Sequence, residues 1–166
     1  MHTAASGCES YGLLMAAEND SALLGRLAGG RAVLGQAQFL PGYSLLLAQQ
    51  FGVEHLTDLP RTERLAFLDS METLGEAVEI VCRRRDSSFR RINLEIQGNL
   101  APNLHAHVWP RYEWEPAELK VRQVGRYPLE IWHEARTRLG PQHDQLRDDL
   151  RAELGRLVGT RGAVPG

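Results

Sequence analysis

The feature that most constrains this chain is one long run of helical periodicity, from Leu59 to about Arg84, bracketed by short alternating stretches. Leu65, Leu68, Met71, Leu74 or Gly75, Val78 and Val81 or Cys82 recur at three- and four-residue spacing, which lines one side of a helix. A stripe like that has to be buried against another layer. Pro60 fits the first turn, where its missing N–H costs nothing. Arg83-Arg84-Arg85 stand at the other end, where the helix dipole favours cations, and read as a solvated helix end.

The partner layer reads as strands. From Arg90 to Ile96, Ile92, Leu94 and Ile96 alternate with Arg91, Asn93 and Glu95. A turn from Gly98 to Pro102 follows, then a strand from Asn103 to Trp109 that Pro110 is expected to close. Upstream, Arg31 to Gln36 and Ser44 to Gln49 read as two strands joined through the Pro41-Gly42 turn, an antiparallel hairpin. Residues 20–28 read as a short helix, capped by Asp20 or Ser21 and stopped by Gly29-Gly30. Beyond Tyr112 the pattern is irregular as far as Pro128. A helix from Leu129 is expected to break at Gly140-Pro141 and resume through Leu146, Leu150, Leu154 and Leu157. Residues 1–10 and the stretch from Thr160 to Gly166 are expected to be loose. Strands, helix, strands and helix in that order point to an α+β fold with an antiparallel sheet.

With 166 residues, the chain is long enough for one domain with a core of its own. It is 43% hydrophobic and 24% charged, which excludes wholesale disorder and fibrous repeats. No apolar run reaches the ~18 residues a membrane helix needs, and the segment Met1 to Glu9 lacks the pattern of a secretory signal. A formal charge of −2 argues against a nucleic-acid polymer as partner. Cys8 and Cys82 are too few for a disulfide framework, and Cys82 reads as a buried, inert thiol. The expected compartment is the cytoplasm.

The chemistry gathers between Ile92 and Glu115. On a strand, residues two apart share a face, so Asn103, His105 and His107 project together while Leu104, Ala106 and Val108 face a core. Two neighbouring imidazoles can supply a nucleophile with a proton donor, or two ligands for one metal. A surface pair without function has the same spacing, and spacing alone does not choose among the three. Asn93, Gln97 and Asn99 lie close in sequence. The Gln97-Gly98-Asn99 turn can aim backbone N–H groups at an anion, and Arg111 and Arg91 can add positive charge. Together these are the components of a phosphate-handling site. His55 and His133 read as surface or structural residues. Trp109 and Trp132 read as packing residues, and Trp114 as packing or a base-stacking ring.

The segment Asn103-Leu-His-Ala-His-Val-Trp109, followed by Pro110-Arg111, resembles the signature of the histidine triad (HIT) family, His-φ-His-φ-His-φ-φ with Pro-Arg behind it. Phe39 to Gln50 is similar to the family's Pro-Gly-His strand, and the likeness extends over roughly Arg31 to Tyr112. The resemblance implies an antiparallel sheet with the long helix packed on it. It divides the chain into an N-terminal segment (1–19), a HIT-like domain (20–128), a C-terminal helical extension (129–158) and a tail (159–166). It also implies a homodimer that hydrolyses or transfers nucleotides at the α-phosphate, through a nucleotidyl-histidine intermediate on His105. His107 would contact the phosphate and position the reacting groups. Asn93, Gln97, Asn99, Asn103, Arg111 and Gln36 are the candidate nucleotide- and phosphate-binding residues, and the resemblance implies no cofactor. Suggested substrates are a dinucleoside polyphosphate or a nucleoside phosphoramidate or adenylate.

Three positions depart from the family pattern. Asn103 replaces the first triad histidine, Tyr43 replaces the histidine of Pro-Gly-His, and Gly35 falls where the family carries a ribose-binding residue, with Gln36 beside it. They motivate an alternative, a nucleotide-binding protein without catalysis. A further alternative is a metal enzyme on His105 and His107, with His133 as the one distant candidate for a third ligand.

Overall fold

The computed structural model describes residues 21–50, 52–99 and 101–161. Five strands form one antiparallel sheet: β1 (Leu23–Leu27), β2 (Gly30–Leu34), β3 (Ser44–Ala48), β4 (Phe89–Ile96) and β5 (His105–Tyr112), in the order β1-β2-β3-β5-β4. The α+β expectation holds. The first three strands form a meander, and the chain then crosses through α1 (Arg61–Arg85) before β4 and β5 return as a hairpin beside β3. Every residue of β3 is buried, which explains its unbroken apolar run.

Helix α1 lies across the face that carries Ala106 and Val108. Phe67, Leu74, Ala77, Val78 and Val81 are fully buried along it. Burying a side chain of the size of Phe67 or Leu74 stabilises the fold by about 1.5–3 kcal/mol. The stripe is rotated at its N-terminal end from the expected one. Phe67, Ser70 and Thr73 face inward, whereas Leu65 is 51% exposed and Leu68 and Met71 are only half-buried. The inner track is set by the turn between β1 and β2. The Gly29 N–H donates to Ser70 Oγ at 2.9 Å, and a Cβ on Gly29 would lie 2.4 Å from the Phe67 Cα. The turn rests on the helix backbone itself, so only a residue without a side chain fits there.

That contact corrects the reading of residues 20–28. Residues 23–27 form β1, an edge strand antiparallel to β2; Ala28-Gly29 make the hairpin turn and Gly30 opens β2, so the two glycines do not stop a helix. A short leucine-rich segment suits either conformation, and pairing with β2 decides it. Asp20, the proposed cap, lies outside the described residues, as do residues 1–10 and Cys8. Pro110 does not close β5, which continues to Tyr112. The last β3 rung is Ser44 opposite Val108, so at Pro110 the strand is paired on the β4 side alone, and a missing donor is tolerated.

Past β5 the chain forms two single helical turns, α2 (Ala117–Lys120) and α3 (Leu129–Trp132), linked by short 3-10 turns. The helix expected from Leu129 to Gly140 is therefore one turn only. The last helix, α4 (Asp144–Arg161), buries Leu146, Leu150, Leu154 and Leu157 as expected and packs on α1 and β1. It extends into the stretch expected to be loose: Arg161 bridges Glu72 and Glu76 of α1, each at 2.5 Å. Cys82 is a buried free thiol, its pKa pushed up to about 11 by burial. No helix among the described residues is long and apolar enough to cross a membrane.

Candidate functional site

The sheet face opposite α1 carries His105, His107, Trp109 and Arg111 on alternate residues of β5. Their rungs place Leu47 beside His105 and Leu45 beside His107 on β3, and Glu95 beside His107 and Asn93 beside Trp109 on β4. The chain enters β5 under firm control: the Leu104 N–H donates to Val53 O at 2.6 Å, and Gly52 N–H donates to Asn103 Oδ1 at 3.1 Å. This turns the Asn103 carbonyl toward the first imidazole, and His105 Nδ1 lies 2.7 Å from that oxygen. A carbonyl can only accept, so Nδ1 carries the proton and the lone pair of His105 stands on Nε2. The His105 and His107 rings are edge to face, 4.8 Å between centroids and 72° between planes.

His105 is 5% exposed. Burial holds its pKa below the usual 6.5, against the stabilising contact with the Asn103 carbonyl. His107 is lowered further, to about 3, by burial and then by the neighbouring His105. Both rings are therefore neutral near pH 7, one with a free Nε2 lone pair.

The rest of this face is aromatic. The Tyr43 ring stacks flat on Trp109, 3.5 Å between centroids and 7° apart, and its hydroxyl meets His107 Nδ1 at 2.9 Å. Phe39 packs on Tyr127 and Trp132 at 5.0 and 4.9 Å. The segment carrying those two rings is stitched down by Gln38 N–H to Thr137 O at 2.7 Å and Leu139 N–H to Gln36 O at 2.8 Å.

Of the residues singled out in the sequence, His105 and His107 come together, with the Asn103 backbone carbonyl on His105; the Asn103 side chain is taken by Gly52, and Asn93 lies on the same sheet face beside Trp109. Asn93 Oδ1 is buried without a partner among the described residues, as is Trp109 Nε1. Gln97 lies one residue past the last β4–β5 rung and donates to Glu95 Oε2 at 3.1 Å, and Asn99 is exposed in the turn. Gln36 lies past the end of β2, half-buried, with its carbonyl held by Leu139. Arg111 is a correction. Its guanidinium is buried and consumed by Glu115, with Nε and Nη2 at 3.0 and 2.7 Å from Glu115 Oε2, and by the carbonyls of Arg122 and Leu119. It offers no free charge to a phosphate, because the Pro-Arg dipeptide builds a structural ion pair here. Arg91, opposite Arg111 on β4, is exposed.

His133 is exposed, and His55 is exposed ahead of a 3-10 turn. No three His, Cys, Asp or Glu side chains among the described residues are grouped to hold a metal. Trp109 and Trp132 pack on each other at 5.6 Å. Trp114 stacks on Tyr112 at 4.8 Å and donates to Asp86 at 3.0 Å. Sequence reasoning missed Glu95, although its alternation with Asn93 already placed it on the polar face of β4. It also missed the hydroxyl of Tyr43, for which the residue type alone was the signal.

Residues 16–114 match the HIT domain family. The chain belongs to the HIT domain family. Among solved structures, a histidine triad protein from Marinobacter aquaeolei VT8 is similar with a TM-score of 0.62 at 20% identity, covering 81% of this chain and 89% of that one. A histidine triad (HIT) protein from Sinorhizobium meliloti 1021 has a TM-score of 0.60 at 17% identity, with coverages of 84% and 90%. A hypothetical histidine triad nucleotide-binding protein from Sulfolobus tokodaii has a TM-score of 0.60 at 14% identity, with coverages of 89% and 93%. A search of the curated proteins finds no match. At these identities the structures establish the fold. HIT proteins as a family are nucleotide-binding hydrolases and transferases.

Proposed function

We propose that this HIT protein is a nucleotide hydrolase or nucleotidyl transferase that works through a covalent adduct on His105. The observation that carries the reading is the pair of neutral imidazoles 4.8 Å apart, with His105 Nδ1 tied to the Asn103 carbonyl. The Nε2 lone pair of His105 attacks the α-phosphorus, the N–P bond forms, and the P–O or P–N bond to the leaving group breaks. The Asn103 carbonyl dipole stabilises the cationic ring of the adduct. Water or an acceptor phosphate then attacks phosphorus, and the N–P electron pair returns to Nε2. No metal takes part in this scheme. Suitable substrates are dinucleoside polyphosphates and nucleoside phosphoramidates or adenylates. The reading takes the cytoplasm as the compartment and no nucleic-acid polymer as partner.

The test is direct. Labelled diadenosine polyphosphate or adenosine phosphoramidate is mixed with the protein, quenched, and digested for mass analysis. An acid-labile adenylate on the peptide containing His105 is expected. Bound nucleotide without any adduct would favour the non-catalytic alternative, which the missing charge at Asn103 and the engaged Arg111 motivate.

We also propose a homodimer. Strand β4 is a sheet edge, and Leu94, Ile96 and Leu65 are 42%, 40% and 51% exposed. An open apolar edge of this kind is a template for a two-fold copy. Light scattering should give twice the chain mass, and the Leu94→Glu, Ile96→Glu double variant should give one chain mass. A monomeric wild type would overturn the assignment.

A further inference from the structure

The departures at Tyr43 and Gly35 are one structural unit. A Cβ at residue 35 would lie 2.2 Å from the Cδ1 and Cε1 carbons of the Tyr43 ring. The ring therefore occupies the volume a side chain at 35 would need. It is held there by the flat stack on Trp109 at 3.5 Å and by the backbone N–H of Gly35 donating to Tyr43 O at 2.9 Å. Its position delivers the hydroxyl to His107 Nδ1 at 2.9 Å.

The direction of that hydrogen bond follows from the available partners. Among the described residues the Tyr43 hydroxyl meets no acceptor other than His107 Nδ1. Burial, with the Glu95 charge adding to it, raises the Tyr43 pKa, so the phenol keeps its proton. The hydroxyl therefore donates to Nδ1, and the ring hydrogen of neutral His107 stands on Nε2. His105 has the opposite tautomer, set by the Asn103 carbonyl. One ring thus presents a lone pair and its neighbour an N–H.

We infer that Tyr43, seated over Gly35, is a positioning residue that locks His107 as an Nε2–H donor toward an oxygen of the phosphoryl group whose phosphorus His105 attacks. This rests on the reaction proposed above. Tyr43 touches no substrate; it acts through His107 by fixing tautomer and ring angle, and Gly35 acts through Tyr43 by leaving its ring room.

The test reads ring nitrogens and kinetics on the full chain. Histidine is labelled with 15N, and long-range proton–nitrogen spectra separate protonated from bare ring nitrogens. In wild type, His107 should be the Nε2–H tautomer with a hydrogen-bonded Nδ1, and His105 the Nδ1–H tautomer. Tyr43→Phe keeps the stacked ring and removes the hydroxyl. The His107 Nδ1 signal should then move to that of an unbonded nitrogen while His105 stays. The rate of adenylate adduct formation should fall about tenfold, as expected for one lost neutral hydrogen bond, with KM unchanged. Gly35→Ala keeps the hydroxyl but displaces the ring, and should produce the same loss of the Nδ1 bond. A wild-type His107 protonated on Nδ1, or an Nδ1 signal that ignores Tyr43→Phe, would overturn the inference. Failure of the wild type to form any adduct would overturn the reaction instead, since the ring-nitrogen spectra decide the Tyr43 contact without turnover.

Discussion

Replacing His105 with alanine is expected to lower turnover by about 10³-fold or more, the scale of losing a covalent nucleophile. Nucleotide affinity should change little, because the alanine leaves β5 and its rungs to β3 and β4 in place. His105→Asn should behave the same way, since an amide has no nucleophilic ring nitrogen. The pH profile should follow. His105 reacts as the neutral ring, and burial holds its pKa below 6.5. The wild-type kcat/KM should be flat above that pKa and fall tenfold per pH unit below it. Stability has the same sign: both rings are neutral when folded, and an unfolded chain takes up their protons near pH 6.5. Stability is therefore full above pH 6.5 and declines as pH falls, continuing toward about 3 for His107. Wild-type turnover in either His105 variant would rule out the adduct mechanism.

The second large effect is on folding. Glu115→Ala is expected to cost about 3–5 kcal/mol, because it strands the Arg111 guanidinium in the interior. The side chains of Arg111 and Glu115 are 4% and 0% exposed. The carboxylate also accepts from the Tyr112 N–H at 2.6 Å and from the Tyr127 hydroxyl at 2.5 Å. The alanine leaves all three donors without it. For a chain of this size, that loss corresponds to a drop of roughly 10 °C in melting temperature. Glu115→Gln, which keeps an acceptor oxygen, should lose less. Because Tyr127 also packs on Phe39, the variant should loosen the covering segment next to Trp109 as well. An unchanged melting temperature in Glu115→Ala would show that the ion pair adds nothing to the fold.

The long helix, the β2–β3 hairpin and the β4–β5 pair were legible because each follows a local rule: period 3.6 along Leu74, Val78 and Val81, period 2 along β5, and a Pro-Gly turn before β3. The histidine pair was legible for the same reason, since strand alternation alone puts His105 and His107 on one face. Residues 23–27 were misread because a five-residue leucine-rich segment has no decisive period. Its strand state comes from pairing with β2 and from the contact of Gly29 on α1, both long-range. The role of Arg111 was hidden likewise. An arginine after a strand proline reads as phosphate-ready until the chain folds back and brings Glu115 onto it.

By itself, the sequence determined the long helix with its apolar face from Leu74 to Val81, the strands β2 to β5 and the shared face of His105 and His107, because these depend on neighbours within a few residues. Only the tertiary structure decided which nitrogen of each ring holds the proton, that Tyr43 fills the space above Gly35, and that Arg111 is spent on Glu115. Those facts depend on how the backbone turns at Asn103 and after Tyr112 and on Tyr43 meeting His107 from 64 residues away, so hydrogen-bond partners and occupied volume, rather than residue type, set the chemistry.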